Sequence, residues 1–306
     1  MSAFDSTVEA LTATLKDQFD LVPKIGFEVE FYLHDAKRSP VYPSDADWRM
    51  LRNLLRENGA EIEALKEEEG RSQFEVCLPI LEPMEAIARM RAFRLHLEAW
   101  ATAQGWVLDF TPRVFDDQPS SALHTHVHLE NAAGDNVFSK DEDEELSAPL
   151  AHAIAGLLAM MPASMVLFAP DAVSYERYTE WEKHTPSKYA WGNNNRTTPI
   201  RLPAPETPSP YRHIEHRLAA AHADCAAVLS GVLAGILYGL QEAPELPECI
   251  YGDARERNHP ELENLPRSFD EAWALFEEDE RLGAYLQAEA SDALKVDTAS
   301  HNVAVG

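Results

Sequence analysis

An α+β fold around an antiparallel sheet is predicted, because strand-like and helix-like segments mix without a strict βαβ rhythm. Apolar and polar residues alternate over residues 24–33, 73–78 and 123–129, which is typical of half-buried strands. The chain has no internal repeat and no clear interdomain linker. We therefore expect a helix and lead-in over residues 1–23, followed by one domain over residues 24–306.

The helices are predicted from apolar spacing and from end signals. Helical spacing runs over residues 5–19, then over 45–58 with Gly59 after it, and over 83–104 with Gly105 after it. Two Ala-rich helices are expected, one over 147–170 with a break at Pro162 and one over 217–242. Ser268 is a plausible N-cap of a C-terminal helix. Shorter extended segments are expected at residues 61–65 and 106–112.

Charge and cysteine content exclude several classes of partner. The chain has 52 acidic and 26 basic residues among 306, a formal net charge of −26, which repels nucleic acid and anionic lipid surfaces. The N-terminus lacks the apolar core of a signal peptide, and we expect the longest apolar stretches to be too short or too rich in Ala and Gly to span a bilayer. Three widely spaced cysteines without a CxxC pair fit a reducing compartment. We expect a cytoplasmic protein that binds neither nucleic acid nor membranes.

Two strand segments carry candidate metal ligands on one face. Glu28 and Glu30 lie two residues apart in IGFEVEFYL, and His124, His126 and His128 alternate in LHTHVHL. Each motif alone has a simpler explanation, since the glutamates could face water and the histidines could be hydrogen-bonded or could bind zinc. The many glutamates nearby favour Mg²⁺ or Mn²⁺, which prefer oxygen ligands.

An irregular segment between Asp171 and Pro210 supplies candidate anion-binding residues. It contains Arg177, Arg196 and Arg201 among Pro, Asn, Thr and aromatic residues, and a long irregular segment in a compact domain usually carries function. Arginines beside two hard metal ions would suit phosphoryl transfer, although ordinary surface salt bridging in an acidic protein is the alternative.

Several motifs, in order, resemble the catalytic domain of glutamine synthetases and γ-glutamyl-amine ligases. IGFEVEFYL resembles the family's first catalytic strand, the Glu67 to Glu75 spacing with Gln73 resembles its E…Q-x-E motif, and SSALHTHVHL resembles its histidine strand. AWGNNNRTTPIRLP and HIEHR are similar to its N-R-S/T…R-I-P and R-x-E-x-R signatures. The resemblance covers roughly residues 24–290 and implies a curved antiparallel sheet with flanking helices.

The resemblance implies a site and a reaction. The reaction is an ATP-dependent ligation in which glutamate, or a related amino acid, forms an acyl phosphate that an amine then attacks. Two Mg²⁺ or Mn²⁺ ions would be bound, with Glu67 and Arg196 acting in catalysis. The implied roles are metal ligands at Glu28, Glu30, Glu67, Glu75, His124 and Glu215, nucleotide contacts at His126, Arg201 and Arg212, and substrate contacts at Arg177 and Arg217.

The departures from the family pattern leave other functions open. Only some twenty residues precede the first catalytic strand, where the family has a β-grasp domain, and Pro119 to Ala122 replace its N-G-S-G loop. The flap glutamate corresponds to Glu182, Lys183 or His184. A homo-oligomer is expected. The alternatives are a non-catalytic nucleotide-binding or amino-acid-binding regulator, and a catalytic subunit that needs a separate small subunit.

Overall fold

An eight-stranded sheet forms the centre of the fold in the computed structural model. The structure describes residues 2–139, 146–178, 184–203, 209–255 and 259–295. The strand order is β2-β3-β1-β5-β8-β7-β6, and β4 pairs with the end of β1. The strands are β1 Val22–His34, β2 Ala64–Glu67, β3 Gln73–Cys77, β4 Val107–Asp109, β5 Ala122–Glu130, β6 Trp191–Asn193, β7 Ile200–Leu202 and β8 Ile214–Ala220.

Within the described residues, seven α-helices accompany the sheet. They are α1 Asp5–Phe19, α2 Asp45–Glu57, α3 Pro83–Ala103, α4 Ala148–Phe168, α5 Cys225–Glu242, α6 Phe269–Glu278 and α7 Leu282–Tyr285. The Ser268 side chain caps α6 by accepting a hydrogen bond from the Glu271 backbone N–H, as the sequence predicts. Helix α1 packs Val8, Leu11 and Leu15 into the same apolar core as the sheet. The division of the chain at residue 23 stays a prediction.

Two sequence expectations about the helices are corrected. Helix α5 begins at Cys225 instead of residue 217, because residues 214–220 pair with β5 and β7, and sheet pairing outweighs the helix propensity of alanine. Helix α4 continues through Pro162, since its burial on nearly all sides outweighs the loss of one helical hydrogen bond. The predicted α+β fold with flanking helices is confirmed, and its otherwise antiparallel sheet is mixed because one pair, β6 and β7, runs parallel.

Helices α4 and α5 pack closely against each other in the core. A Cβ atom built on Gly239 would lie 2.0 Å from the backbone oxygen of His152, and one on Gly156 would lie 2.2 Å from that of Gly235. Glycine is therefore required for this backbone approach. Both helices are long and apolar enough to cross a membrane, contrary to the sequence expectation, but 78% of each apolar window is buried within the protein. This burial is typical of core helices in soluble proteins.

Candidate active site

The central strand β1 divides its side chains between the core and a polar cleft. Phe27, Val29 and Phe31 are buried in the apolar core, so the alternate residues Glu28 and Glu30 point to the opposite face. In the neighbouring strands, Glu30 lies opposite Glu75 and Glu28 lies opposite both Cys77 and His124. Sheet pairing thus brings together four carboxylate or imidazole groups from three sequence segments.

A first cluster of carboxylate and imidazole groups surrounds Glu28. Its Oε1 lies 2.8 Å from His124 Nδ1, and Glu215 Oε1 lies 3.6 Å from the same nitrogen. Burial opposes ionisation of Glu28, but hydrogen bonds from His124 and His126 outweigh it, so the pKa of Glu28 lies below its usual value. The Glu215 carboxylate is also buried, yet the charges of Arg217 and the nearby histidines lower its pKa to about 2. Both carboxylates are therefore anionic at neutral pH.

A second group forms around Glu75, whose side chain is only 3% exposed. Lys66 Nζ lies 2.8 Å from Glu75 Oε1 and 3.1 Å from Glu68 Oε1. Glu30 Oε2 accepts a hydrogen bond of 2.8 Å from the Ala122 backbone N–H. Burial and the charge of Glu28 raise the pKa of Glu75 to about 9, and burial raises the pKa of Glu30. These shifts reflect carboxylates crowded together at low solvent exposure.

The structure does not bring Glu67 into the cleft. Glu67 lies opposite Phe74 in the β2–β3 pair and its side chain is exposed, whereas Lys66 lies opposite Glu75. Because side chains alternate along a strand, Lys66 and Glu68 share the cleft face and Glu67 points away from it. Glu68 lines the cleft with Glu75. On this strand the carboxylate that faces the cleft beside Glu75 is therefore Glu68, seven residues before Glu75 in the chain.

The cleft has a volume of about 440 Å³ and an arginine-rich wall. Arg201 and Arg217 both donate to Glu215, and the exposed Arg196 lines the cleft beside them. The described residues lining the cleft include the predicted Glu28, Glu30, Glu75, His124, Glu215, Arg177, Arg196, Arg201 and Arg217. Nine of the predicted residues thus converge from distant parts of the sequence.

A β-bulge between β5 and β8 positions Arg177. The pairing register shifts between Leu123 and Thr125, so two residues of β8 oppose one residue of β5. Near this irregularity, Arg177 Nη1 donates hydrogen bonds of 2.9 Å to the backbone oxygens of Leu218 and Ala219. Arg177 is 2% exposed and still lines the cleft. The bulge therefore frees backbone acceptors that hold a buried guanidinium against the site.

Three arginines retain unused donors in the cleft wall. The buried Nε groups of Arg177, Arg201 and Arg217 have no hydrogen-bond partner among the described residues. A buried donor without a partner is costly, and guanidinium groups bind carboxylate and phosphate well. An anionic ligand would satisfy these groups.

A second cavity of about 260 Å³ adjoins the first, and Glu28 lines both. Its lining is mainly apolar or aromatic and includes Phe27, Ile80, Val127, His126 and His213. His126 Nε2 lies 3.6 Å from Glu28 Oε2, and its ring centroid lies 5.1 Å from that of His213. The predicted nucleotide residue His126 is thus separated from Arg201, which lines the first cleft. Arg212 is buried and lies outside the lining of both cavities.

The sequence analysis did not identify three residues of the site, and two of its flap candidates lie outside the described residues. Glu182 and Lys183 lie outside the described residues, whereas the third flap candidate, His184, lines the cleft and accepts a hydrogen bond from Arg217 through its backbone oxygen. The missed residues are Lys66, Glu68 and Cys77, whose Sγ lies 3.8 Å from Glu28 and 3.7 Å from Glu75. The sequence signal that could have found them is their position on the same sheet face as Glu75 and Glu28. Using that signal requires knowing which residues pair across neighbouring strands.

The donor set fits a hard divalent cation. Ligand atoms of Glu28, Glu75 and Cys77 lie within 4.8 Å of one another, as do those of Glu28, His126 and Glu215. Four buried or half-buried glutamates and a histidine supply mainly oxygen donors, which suits Mg²⁺ or Mn²⁺. A cation there would also offset the burial and the neighbouring negative charge that raise the pKa values of Glu30 and Glu75.

Comparison with known families agrees with this arrangement. The family model for the glutamine synthetase catalytic domain matches residues 7–295. The chain belongs to the glutamine synthetase family. Its mixed sheet with flanking helices resembles the fold of the GmaS structures. A GmaS/ADP complex has a TM-score of 0.85 at 22% identity, covering 97% of this chain and 73% of that one.

Curated relatives of the chain are amine ligases and glutamine synthetases. The chain is 30% identical to gamma-glutamylputrescine synthetase PuuA of Escherichia coli strain K12 over 307 residues, covering 88% of this chain and 61% of PuuA. It is 25% identical to the glutamate–methylamine ligase of Methyloversatilis universalis, covering 80% of this chain and 57% of that enzyme. The chain therefore spans less than two thirds of the length of these relatives.

Proposed function

We propose that the protein is an ATP-dependent carboxylate–amine ligase that makes a γ-glutamyl amide or a related amide. The observation that carries the proposal is the convergence of buried carboxylates and Arg177, Arg196, Arg201 and Arg217 in one cleft. Such a cleft suits a reaction in which negative charge develops on phosphate and carboxylate oxygens. The curated relatives include enzymes of this class.

The proposed metal ligands follow the two carboxylate groups. Glu28, His124 and Glu215 would hold one Mg²⁺ or Mn²⁺ ion, and Glu30, Glu68 and Glu75 would hold the other. When bound, the ions would neutralise the phosphate oxygens of ATP. Glu68 replaces Glu67 in this proposal because Glu68 lines the cleft.

The second cavity is the proposed place of the nucleoside. Its apolar walls and the adjacent His126 and His213 rings suit a flat heterocycle, and the shared residue Glu28 connects it with the cleft. The phosphates would then point towards Arg196 and Arg201. Arg212, which lies outside both cavities, is not included among the nucleotide contacts.

The proposed reaction has two steps. An oxygen of the substrate γ-carboxylate attacks the terminal phosphorus of ATP, the bond to ADP breaks, and an acyl phosphate forms. The amine then attacks the acyl carbon, phosphate leaves, and the amine nitrogen loses a proton. Arg177 and Arg217 would hold substrate carboxylate, because their buried Nε groups lack partners among the described residues, and Arg196 would stabilise the transferring phosphoryl group.

The test is phosphate release from ATP in the presence of glutamate and a panel of amines, with Mg²⁺ or Mn²⁺. Hydroxylamine in place of the amine should trap the acyl phosphate as a hydroxamate. We expect Arg196→Ala to lower turnover at least about 100-fold, while Arg49→Ala on the exposed face of α2 should leave it unchanged. Nucleotide binding without hydroxamate or phosphate release across the panel would instead indicate a regulatory protein.

The assembly of the protein is a separate prediction. A homo-oligomer is expected from the family resemblance, and a separate small subunit is the alternative. Mass photometry of the purified chain and co-purification from its source cells would distinguish the two.

A further inference from the structure

The turn that carries Arg196 is closed by its two neighbours in the chain. Asn195 Oδ1 accepts hydrogen bonds from the Thr197 backbone N–H, at 3.0 Å, and from the Thr197 hydroxyl, at 2.7 Å. This is an Asx turn, in which an asparagine side chain bonds the backbone two residues further on. The Thr198 hydroxyl adds a bond of 2.9 Å to the Asn195 backbone oxygen. The turn thus fixes the backbone on both sides of Arg196.

A segment from a distant part of the sequence supports this turn. We call residues 247–254, which follow α5, the strap. Asn195 Nδ2 donates hydrogen bonds of 3.1 and 2.8 Å to the backbone oxygens of Ile250 and Gly252 in the strap. Because Nδ2 bonds the strap while Oδ1 bonds the turn, the single amide group of Asn195 joins the two.

Thr197 makes a second link to the strap. Its hydroxyl donates to Asn195 and also accepts a hydrogen bond of 3.0 Å from the Ala254 backbone N–H. A hydroxyl donates one bond and can accept others, so this oxygen serves both partners. Its removal would break the link to the strap but would leave the bond from the Thr197 backbone N–H to Asn195 in place.

The strap is anchored to β6. The Ile250 backbone N–H donates a bond of 2.9 Å to the Trp191 backbone oxygen, and Trp191 Nε1 donates one of 2.8 Å to the Pro247 backbone oxygen. Ile250 and Ala254 are buried in a small apolar cluster apart from the main core. A Cβ atom built on Gly192 would lie 2.7 Å from the Ile250 backbone oxygen, so the strap and the strand are in close contact. A strap fixed in this way can hold the turn in one place.

Arg196 depends on this support because its own side chain is not fixed. It is exposed at the cleft, and within the described ranges it forms no hydrogen bond or ion pair. An arginine side chain carries about 2 kcal/mol of rotamer entropy, so the positions it can reach depend on the backbone that carries it. A displacement of about 1 Å at a reacting group can lower a rate about 100-fold.

We propose that the strap is a positioning element for phosphoryl transfer, which acts through Asn195 and Thr197 to hold Arg196 at the transferring phosphoryl group. This inference rests on the proposed function, which places Arg196 there. It assigns a role in the rate of the reaction to a segment that lies outside the cleft lining. Asn195 and Thr197 are positioning residues, because neither of them lines the cleft and both bond the backbone around Arg196.

The test is steady-state phosphate release by Thr197→Val, which replaces the hydroxyl with a methyl group of similar size. We expect kcat to fall about tenfold or more while the KM for ATP changes less than about threefold, since the lost interaction acts in the transition state. Thr197→Ser keeps the hydroxyl and should retain at least about half of kcat. Asn195→Ala breaks the strap link independently and should behave like Thr197→Val. The control is Thr14→Val, which removes a hydroxyl that donates to the Ala10 backbone oxygen on α1 and should leave kcat unchanged.

Combination with Arg196→Ala separates positioning from general damage to the fold. In the Arg196→Ala background, Thr197→Val should lower kcat less than about twofold, because the effects of residues that act as a unit do not add. The same factor in both backgrounds, or an unchanged kcat in Thr197→Val and Asn195→Ala, would overturn the role of the strap and leave the proposed ligase function intact. Absence of phosphate release by the wild-type protein with every acid and amine would overturn the proposed function, and this role with it. Circular dichroism reports whether each variant folds.

Discussion

Glu28 on β1 and His124 on β5 are direct partners in the sheet, and Glu28 Oε1 lies 2.8 Å from His124 Nδ1. The two residues are 96 positions apart in the chain. His124 also lies close to Glu215, and Glu28 lies close to His126, which lines the second cavity. The pair therefore connects the cluster around Glu28 with the second cavity. Four predictions concern the site and the packing that supports it.

Replacing His124 with alanine should weaken Mn²⁺ binding by at least about tenfold, because it removes a ligand and the hydrogen bond that orients Glu28. Isothermal titration calorimetry with Mn²⁺ measures this affinity. His96→Ala, on α3 and remote from the cleft lining, is the matched control. Equal Mn²⁺ affinities for the two variants would contradict a ligand role for His124.

Substitution of Glu67, the last residue of β2, and of the adjacent Glu68 should have different effects on Mn²⁺ affinity and on ATP-dependent phosphate release. Glu68→Gln removes a cleft carboxylate and should lower both Mn²⁺ affinity and ATP-dependent phosphate release, by about tenfold or more. Glu67→Gln alters an exposed side chain on the opposite face and should change neither. Steady-state kinetics and Mn²⁺ titration of both variants test this assignment. The reverse result would restore Glu67 as the ligand.

The contact between α1 and α3 should depend on pH through Asp5. Arg91 donates two hydrogen bonds, of 2.9 and 2.7 Å, to the buried Asp5 carboxylate and holds its pKa below the usual value of 3.8. Because the pKa is lower in the folded state, this stabilisation is present above pH 3.8 and is lost as the pH falls below that value. Asp5→Asn should therefore lower the free energy of unfolding at pH 7. The expected loss is only about 1 kcal/mol because Arg91 is partly exposed to solvent.

The difference between Asp5→Asn and the wild-type protein should shrink as the pH is lowered through 4 towards 3. Urea denaturation at several pH values measures it. Asp20→Asn, which alters an exposed pair with Lys16, should change the free energy of unfolding by less than about 0.5 kcal/mol. A difference for Asp5→Asn that does not vary with pH would show that the ion pair is not its cause.

The α4–α5 contact should tolerate no side chain at Gly239. Gly239→Ala would place a methyl group 2.0 Å from the His152 backbone oxygen, so the helices must separate, and we expect a loss of about 1–3 kcal/mol in the free energy of unfolding. In Gly283→Ala, the added Cβ meets nothing within 4 Å, and the change should stabilise α7 by up to about 1 kcal/mol. Chemical denaturation compares the two, and equal effects would contradict close helix packing.

The sequence alone was sufficient for the elements with strong local signals. Period-two alternation located β1, β3 and β5, and helical spacing with end signals located α1, α2 and α3 to within about two residues. It also identified Glu28, Glu30, Glu75, His124, Glu215 and the cleft arginines as one candidate site, because several motifs occur together in the order of a known family. These features depend on residue type and spacing, which are local properties of the chain.

Tertiary structure decided what depends on strand register and packing. Whether Glu67 or Glu68 enters the cleft depends on which residue lies opposite Glu75, and a shift of one residue reverses the face of every side chain in the strand. Likewise, Ala219 and Ala220 belong to a strand because β5 pairs with them, and the adjacent bulge supplies the acceptors that hold Arg177. Such choices are made by contacts between segments distant in sequence, so no local pattern contains them.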